Sequence, residues 1–286
     1  MTKVILIGTG TPNPDPYRSG PCVGIYANNK VYLVDFGVGL IRQLNKIASK
    51  LDIKINELNT AFLTHLHSDH TLGYSDLILT PWILGRKTPL KVYGPKGTQK
   101  MTDHLLQAYD VDIQQRIHGL EQANTTGYTV DVHSIKEGLI YNEDIKVEAL
   151  KVPHGNFESY AFKFITDDKV IVVSGDTAPS KHLIEWAKGC DILIHEVYYT
   201  EGLKTRSESW QKYHSSVHTS AVELGSIAKQ VQPNTLVLYH QLFMQEHVLE
   251  EDMSKNNLIY KEKILNEIHM NYNGNIVYGE DLMIIG

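Results

Sequence analysis

The chain has 286 residues, with 27 Lys and Arg against 33 Asp and Glu, so its formal net charge is −6. Hydrophobic residues at 42% and charged residues at 21% are typical of a soluble globular protein, and no apolar run approaches the ~18 residues of a membrane span. Two cysteines are too few for a disulfide framework, and the acidic balance argues against avid nucleic-acid binding. We therefore expect a cytoplasmic protein outside the membrane.

Short β-rich runs separated by Gly, Pro and Asn turns organise the first half of the chain. The predicted elements, in chain order, are a strand over residues 4–7, a hairpin of strands 23–27 and 31–34 that stops at Asp35, a helix over 40–49, strands over 61–63 and 90–93, a polar helical stretch over 97–120, and strands over 128–135 and 145–152.

The second half repeats this pattern. It predicts a hairpin of strands 160–165 and 170–173 followed by Asp176, a helix over 182–188, a strand over 192–194 leading to Glu196, a helix over 219–230 and a strand over 235–238 leading to His240. A hairpin followed by an aspartate occurs in both halves, which suggests a duplicated α/β architecture. Because the short apolar strands are buried on both faces, helices should cover the sheets.

Four potential metal ligands fall within positions 65 to 70, directly after an apolar strand: His65, His67, Asp69 and His70. Alternate side chains of an extended segment point the same way, so the first two histidines should face one point. A turn at Ser68 can bring the other two ligands towards a second point. Zinc accepts imidazole and carboxylate ligands at about 2.0–2.2 Å, so the spacing predicts a metal site rather than a metal-free surface turn.

Four ligands cannot complete two sites, and three further candidates, His154, Asp176 and His240, follow apolar strands. The ends of strands on one edge of a sheet share a rim, where α/β proteins usually place their sites. Each candidate also has a purely structural reading, Asp176 as a helix cap and the histidines as loop residues. Beside the cluster at 65–70 we favour the reading as ligands.

These residues resemble the signature of the metallo-β-lactamase superfamily, and Asp35 matches its first, non-ligand position. The opening residues 7–12, the pair His195-Glu196 and residues 218–220 resemble the ribonuclease Z-like branch, which also includes arylsulfatase-type and phosphodiesterase-type hydrolases. The resemblance covers nearly the whole chain.

The resemblance implies one domain over residues 1–286, an αββα sandwich of two mixed β-sheets flanked by helices, with a helical insert around 97–120. It also implies a homodimer and two Zn²⁺ ions per chain, with Mn²⁺ or Fe²⁺ as alternatives. Transferred position by position, one metal is held by His65, His67 and His154, the other by Asp69, His70 and His240, and both by the bridging Asp176. Asp35 would orient a ligand imidazole.

The implied activity is hydrolysis of small phosphate or sulfate esters by a metal-bound hydroxide. Asp69, His218 and Glu196 are the predicted catalytic residues, with His218 protonating the leaving group and Glu196 orienting its imidazole. The alternative for His218 is a residue ahead of the helix over 219–230 that touches nothing.

Three other functions compete: transfer-RNA 3′ processing, hydrolysis of lactones or thioesters, and a metal-binding scaffold without activity. Members that process transfer RNA carry a clamping arm between the motifs that match His154 and Asp176. Here that interval is 176 − 154 = 22 positions, which one hairpin fills. The net charge of −6 also gives no excess of basic residues that could bind RNA phosphates and release their counterions. We therefore expect a small-molecule substrate.

Two segments hold aromatic or His side chains that could contact this substrate. The first lies between His70 and His154 and contains Trp82, Tyr109 and His118; the second lies between Glu196 and His218 and contains Tyr198, Tyr199, Trp210 and Tyr213. The alternative is that the first is an exposed insert or dimer surface and that the second packs against its own domain.

Overall fold

The computed structural model describes residues 1–244 and 253–286, and for residues 253–256 it describes the backbone alone. The chain divides into two compact units. Met1–Gly8, Ser19–Ile135 and Asp281–Gly286 make the first unit, and Thr9–Arg18 with Lys136–Glu280 make the second. Among the described helices, none has the length and apolar character needed to cross a membrane.

Each unit contains one seven-stranded sheet. The strands are β1 (Lys3–Gly8), β2 (Cys22–Ala27), β3 (Lys30–Val34), β4 (Thr60–Phe62), β5 (Leu90–Gly94), β6 (Val130–Ser134), β7 (Gly138–Asn142), β8 (Lys146–His154), β9 (Phe157–Ile165), β10 (Val170–Val173), β11 (Ile192–Tyr198), β12 (Thr235–Leu242), β13 (Ile276–Tyr278) and β14 (Ile284–Ile285).

The first sheet has the order β14-β1-β2-β3-β4-β5-β6. Its first three pairings are antiparallel, and the pairings from β3 to β6 are parallel. Val34 is in register with Phe62, so the chain leaves β3 at Asp35 beside the end of β4. The Asp35 N–H donates to the Phe62 carbonyl oxygen at 2.9 Å, which fixes the start of that turn.

The second sheet has the order β13-β12-β11-β10-β9-β8-β7. Strands β7 to β10 pair antiparallel, and β10 to β13 pair parallel, as in the first sheet. Val173 is in register with Ile194, and Ile194 with Val237. The residues that follow these three positions therefore emerge at the same edge of the sheet, as expected for parallel strands.

Helices accompany both sheets. They are α1 (Leu40–Ile47), α2 (Ser68–Thr71), α3 (Tyr74–Ile83), α4 (Thr98–Ala108), α5 (Asp110–His118), α6 (Lys181–Ala187), α7 (Thr200–Lys204), α8 (Glu208–Val217), α9 (Ala221–Val231) and α10 (Met253–His269), with short 3₁₀ turns at Ala48–Lys50 and Ile55–Glu57. The prediction of two mixed sheets flanked by helices is confirmed.

The apolar core of each unit follows from the periodicity of its elements. In the first unit, Leu40 and Leu44 of α1 lie on one helical face and are fully buried against the sheet; burying each contributes roughly 1.5–3 kcal/mol. In the second unit, Leu224 and Ala228 of α9 do the same. Each unit also buries one free cysteine, Cys22 in the first and Cys190 in the second.

Several elements differ from the sequence prediction. His154 and His240 lie within strands rather than after them, because β8 and β12 continue their pairing beyond the apolar runs at 147–152 and 235–238. The helices α3, α8 and α10 were not predicted. In α3 six of the ten residues are buried and Pro81 lies inside, so the alternation of apolar and polar faces that marks a helix is missing.

Candidate metal centre

The segment after β4 brings its four predicted ligands together as two pairs. The chain runs extended to His67, and Nε2 of His65 lies 2.9 Å from Nδ1 of His67. His67 then caps α2, a single helical turn in which Oδ2 of Asp69 lies 3.5 Å from Nε2 of His70. An extended stretch followed by one turn of helix is thus enough to collect four ligands within six positions.

A buried aspartate orients the imidazole of His70. Oδ1 of Asp35 accepts the N–H of Thr64 at 2.8 Å, and Oδ2 lies 2.8 Å from Nδ1 of His70. The Thr64 hydroxyl lies in turn 2.9 Å from Nδ1 of His65. Asp35 has a φ of +64°, a conformation that costs a non-glycine residue free energy and is kept only where its surroundings enforce it. Because Nδ1 of His70 is engaged by this carboxylate, Nε2 is the ring nitrogen that faces Asp69 and could bind a metal.

In the second unit His154 is oriented by a backbone carbonyl. Its Nδ1 lies 2.7 Å from the carbonyl oxygen of Val217, the last residue of α8. A carbonyl only accepts, so Nδ1 carries the proton and Nε2 keeps its lone pair for a metal.

Asp176 lies between two histidines of the same unit. Its Oδ1 is 3.7 Å from Nδ1 of His240, and its Oδ2 is 3.9 Å from Nδ1 of His218. His240 has a φ of +47°, and the pairing of β11 with β12 shifts register where Glu196 gives way to Val197. The strand irregularity and the left-handed backbone turn His240 out of the regular alternation of β12.

Glu196 and His218 form a buried hydrogen-bonded pair. Oε1 of Glu196 lies 3.1 Å from Nδ1 of His218 and also accepts the backbone N–H groups of Thr177 and Thr219, at 3.1 and 3.2 Å. Burial, reinforced by the charge of Asp176, raises the pKa of the Glu196 carboxyl, while the two N–H groups act in the opposite direction. The sequence prediction paired these two residues, and the structure places them in contact.

The face of α8 that ends at His218 carries further aromatic rings. Trp210, His214 and His218 follow one another at a spacing of four and stack with ring centroids 5.3 and 5.6 Å apart; we call these three side chains the aromatic row. Burial, helped by the charges of His218 and Arg206, lowers the pKa of His214 to about 4, so its ring is neutral at pH 7. Sequence reasoning missed His214, although its spacing from Trp210 and His218 was the available signal.

The other aromatic candidates have different surroundings. Trp82 is buried in the core of the first unit and donates its indole N–H to the Asn124 carbonyl oxygen at 2.8 Å. Tyr198 is buried, and Tyr199 packs against Tyr260. Tyr109 and His118, on the helical stretch at 97–120, are exposed. Trp82, Tyr198 and Tyr199 therefore serve packing, whereas Trp210 and Tyr213 are 48% and 44% exposed.

The described ligand atoms form two groups, within each of which they all lie within 4.8 Å of one another. The groups are His65, His67, His154 and Asp176, and Asp69, His70 and His240. Imidazole and carboxylate donors suit zinc, and also manganese and iron. Anchoring of the second ring nitrogen, as Asp35 and Val217 provide for His70 and His154, is the usual arrangement of a metal-binding histidine. The two clusters are therefore consistent with a dinuclear metal site.

Comparison with known proteins agrees with this description. Residues 2–265 match the family model of the anti-Pycsar protein Apyc1. A ribonuclease Z from Mycobacterium marinum is 31% identical over 245 residues, which cover 84% of this chain and 86% of the relative.

Two solved structures share the fold. The metallo-β-lactamase fold protein YhfI from Bacillus subtilis matches with a TM-score of 0.74 and 17% identity and covers 100% of both chains. The short form of human tRNase Z matches with a TM-score of 0.69 and 21% identity, over 99% of this chain and 98% of its own. The chain is therefore a metal-dependent hydrolase of the metallo-β-lactamase fold, related to ribonuclease Z, and it belongs to the Apyc1 family.

Proposed function

We propose that the protein hydrolyses small phosphodiesters and that cyclic nucleotides are its substrate class. The observation that carries the proposal is the buried pair of Glu196 and His218, whose imidazole lies 3.9 Å from Asp176. A phosphodiester needs a proton donor for its leaving alkoxide, and this pair offers one beside the proposed ligands. The Apyc1 family, to which the chain belongs, is one of cyclic-nucleotide phosphodiesterases, which supports phosphate over sulfate esters.

The proposed metal ligands are those transferred from the family signature. One metal ion would be held by His65, His67 and His154, the other by Asp69, His70 and His240, and both by Asp176. When bound, the two ions would supply an activated water near neutral pH and positive charge for the phosphoryl oxygens. Zinc is our first choice, with manganese and iron as the alternatives.

Side chains of the protein then carry out the two proton transfers of the reaction. Asp69 accepts the proton of the attacking water. His218 donates the proton on Nε2 to the departing oxygen, while Glu196 holds Nδ1 and stabilises the charged imidazole. A positioned general acid of this kind contributes typically about 10²–10⁴-fold in rate.

The interval between His154 and Asp176 supports a small substrate. It consists of β9 and β10, joined by a tight turn in which Thr166 and Lys169 exchange backbone and side-chain hydrogen bonds. This interval therefore contains no inserted arm that could hold a large nucleic acid, and the net charge of −6 adds no general attraction for one.

A substrate panel tests the proposal. Zinc- and manganese-loaded protein is assayed on 3′,5′-cyclic AMP, 3′,5′-cyclic CMP, bis(4-nitrophenyl) phosphate, 4-nitrophenyl sulfate, a homoserine lactone and a precursor transfer RNA. We expect turnover of the phosphodiesters at least tenfold above that of the sulfate ester and the lactone. Preference for the sulfate or the lactone would contradict the proposal.

His218→Ala tests the proton donor. The variant should keep its metal content and lose about 10²–10⁴-fold in kcat, with the greatest loss on alkyl phosphodiesters, whose leaving groups most need a proton. His182→Ala, at an exposed position on α6, is the matched control and should change neither quantity. Equal slowing on alkyl and nitrophenyl esters would exclude the role of general acid.

Transfer-RNA 3′ processing is the second candidate, because a ribonuclease Z is 31% identical over 84% of this chain. Precursor cleavage with a kcat/KM above that for the cyclic nucleotides would establish it and overturn our first choice. The homodimer and the cytoplasmic location expected from the sequence stay predictions; light scattering tests the former.

A further inference from the structure

The proposed reaction uses His218, the C-cap of α8, but no residue of the helix itself. The aromatic row continues from His218 through His214 to Trp210, with interplanar angles of 26° and 20°. At its inner end, the ring of His218 lies 5.2 Å from that of His154 and 6.2 Å from that of His240, both proposed ligands. The row therefore connects the proposed metal site with the outer part of α8.

The outer end of the row is exposed. Trp210 is 48% exposed, and the ring of Tyr213, 44% exposed, meets it edge-on at 5.8 Å. Single exposed aromatic residues are common on protein surfaces and need no explanation. Here two of them adjoin a column of parallel rings that starts at the catalytic pair. Packing explains the half-buried His214, but it does not require the exposed rings of Trp210 and Tyr213 beside it.

A cation extends the same surface. The guanidinium of Arg206 lies over the Trp210 ring at 5.7 Å, close to the limit of about 6 Å for a cation–π contact. Guanidinium planes and aromatic rings are the two surfaces on which proteins stack unpaired nucleobases. His214 is already stacked between Trp210 and His218, so Arg206, Trp210 and Tyr213 are the groups that can provide a stacking surface with a positive charge.

We propose that Arg206, Trp210 and Tyr213, backed by His214, form a stacking subsite for the planar group of the substrate, a nucleobase in the case of a cyclic nucleotide. The proposal rests on the proposed function in so far as the phosphodiester is placed at the metal site beside His218. Stacking accepts any base because every base has a π-face. The subsite consequently predicts broad use of purine and pyrimidine substrates, with purines bound more tightly because of their larger rings.

Tryptophan fluorescence tests the subsite without any catalysis. The chain has three tryptophans, of which Trp82 is buried and Trp186 lies under the Lys163 ammonium. Adenosine 5′-monophosphate should quench the emission, and ribose 5-phosphate, which has the phosphate but no base, should not. Trp186→Phe should keep the quenching by the nucleotide, and Trp210→Phe should lose it. Equal quenching by both probes, or quenching that survives Trp210→Phe, would overturn the subsite.

Kinetics provide the second test. Trp210→Ala should raise KM for 3′,5′-cyclic AMP about tenfold with kcat within twofold, and Trp210→Phe, which keeps an aromatic ring, should restore most of the loss. KM for glycerol 1,2-cyclic phosphate, which has no planar group, should be the same in all three proteins. An unchanged KM for cyclic AMP in Trp210→Ala would overturn the subsite.

The two proposals fail in different ways. Hydrolysis of cyclic nucleotides with neither quenching nor a KM effect would leave the proposed function standing and remove the subsite. Base-specific quenching in a protein that cleaves no phosphodiester would leave the subsite standing and remove the proposed function.

Discussion

At the scale of single residues, the candidate site is built from pairs in which one group fixes the other. Asp35 holds Nδ1 of His70, the Val217 carbonyl holds Nδ1 of His154, and Glu196 holds Nδ1 of His218. In each pair the partner determines which ring nitrogen carries the proton and where the other points. The removal of a partner should therefore weaken the function of a histidine that remains in place.

Asp35→Asn should lower metal affinity by about 10–100-fold, because an amide cannot accept from both Thr64 and His70 as the carboxylate does. Competition with a chelator measures the change. Asp131→Asn is the matched control, since Asp131 also lies near an imidazole, 3.1 Å from Nε2 of His133, but is exposed. Equal affinities of the two variants would contradict the orienting role of Asp35.

The sequence predicted the metal-ligand candidates at 65–70 but not the group that orients His154. His65, His67, Asp69 and His70 were visible because alternation and a turn act within six positions. The partner of His154 was not, because it is a backbone carbonyl 63 positions away, and any residue type could supply it.

At the scale of elements, two consecutive helices position the proposed catalytic pair of Glu196 and His218. α8 ends at Val217 with His218 as its C-cap, and α9 begins after Ser220. The Ser220 hydroxyl accepts the N–H of Glu223, whose carboxylate accepts the N–H of Ser220 in return. This capping box fixes the short connection in which His218 and Thr219 face Glu196.

Ser220→Ala should cost about 1 kcal/mol of unfolding free energy, because the first turn of α9 loses its cap. Urea denaturation measures the loss. Ser226→Ala in the same helix is the control: its hydroxyl donates only to the Val222 carbonyl oxygen at 3.4 Å and should matter far less. Equal losses in the two variants would show that the capping box contributes nothing.

The low pKa of His214 predicts a pH dependence for the second unit. Between pH 4 and 6.5 the unfolded chain holds a proton on this imidazole and the folded chain does not, so stability rises with pH across that window. His214→Phe keeps a ring but removes the titrating group and should flatten the profile there. Unfolding free energies from urea titrations at pH 4.5 and 7 measure this. A wild-type slope that His214→Phe leaves unchanged would contradict the assignment.

The helices also show where sequence patterns fail. α1 and α9 were predicted because one face of each is apolar and the other polar. α8 was not, because Val217 is its only fully buried residue, His214 is half-buried, and Trp210 and Tyr213 are exposed. A helix of that composition lacks the periodic stripe that reveals amphipathic helices.

At the scale of the whole molecule, the two sheets repeat one arrangement of three antiparallel and then three parallel pairings. In each, an aspartate follows the fourth strand of the order, Asp35 after β3 and Asp176 after β10. The hairpin before each aspartate made this repetition visible in the sequence. That β14, at the far end of the chain, completes the first sheet, and that Thr9–Arg18 belongs to the second unit, could not be predicted, because no local pattern encodes pairing over such separations.

Each of the two units contains one buried cysteine, whose reaction with a thiol reagent can report the opening of that unit. Cys22 is fully buried and Cys190 is 1% exposed; burial raises the pKa of both thiols, that of Cys190 to about 12. Neither should react with a disulfide reagent in the native protein, since the thiolate is the reactive form.

Each thiol should therefore label only when its own unit opens. The variant Cys190→Ser keeps only Cys22, so its labelling rate measures how fast the first unit opens. The variant Cys22→Ser keeps only Cys190, so its labelling rate measures how fast the second unit opens. Fast labelling of either variant without denaturant would contradict the burial. Equal rates in the two variants at every urea concentration would mean that the units open in one cooperative event, and unequal rates would rank their lifetimes.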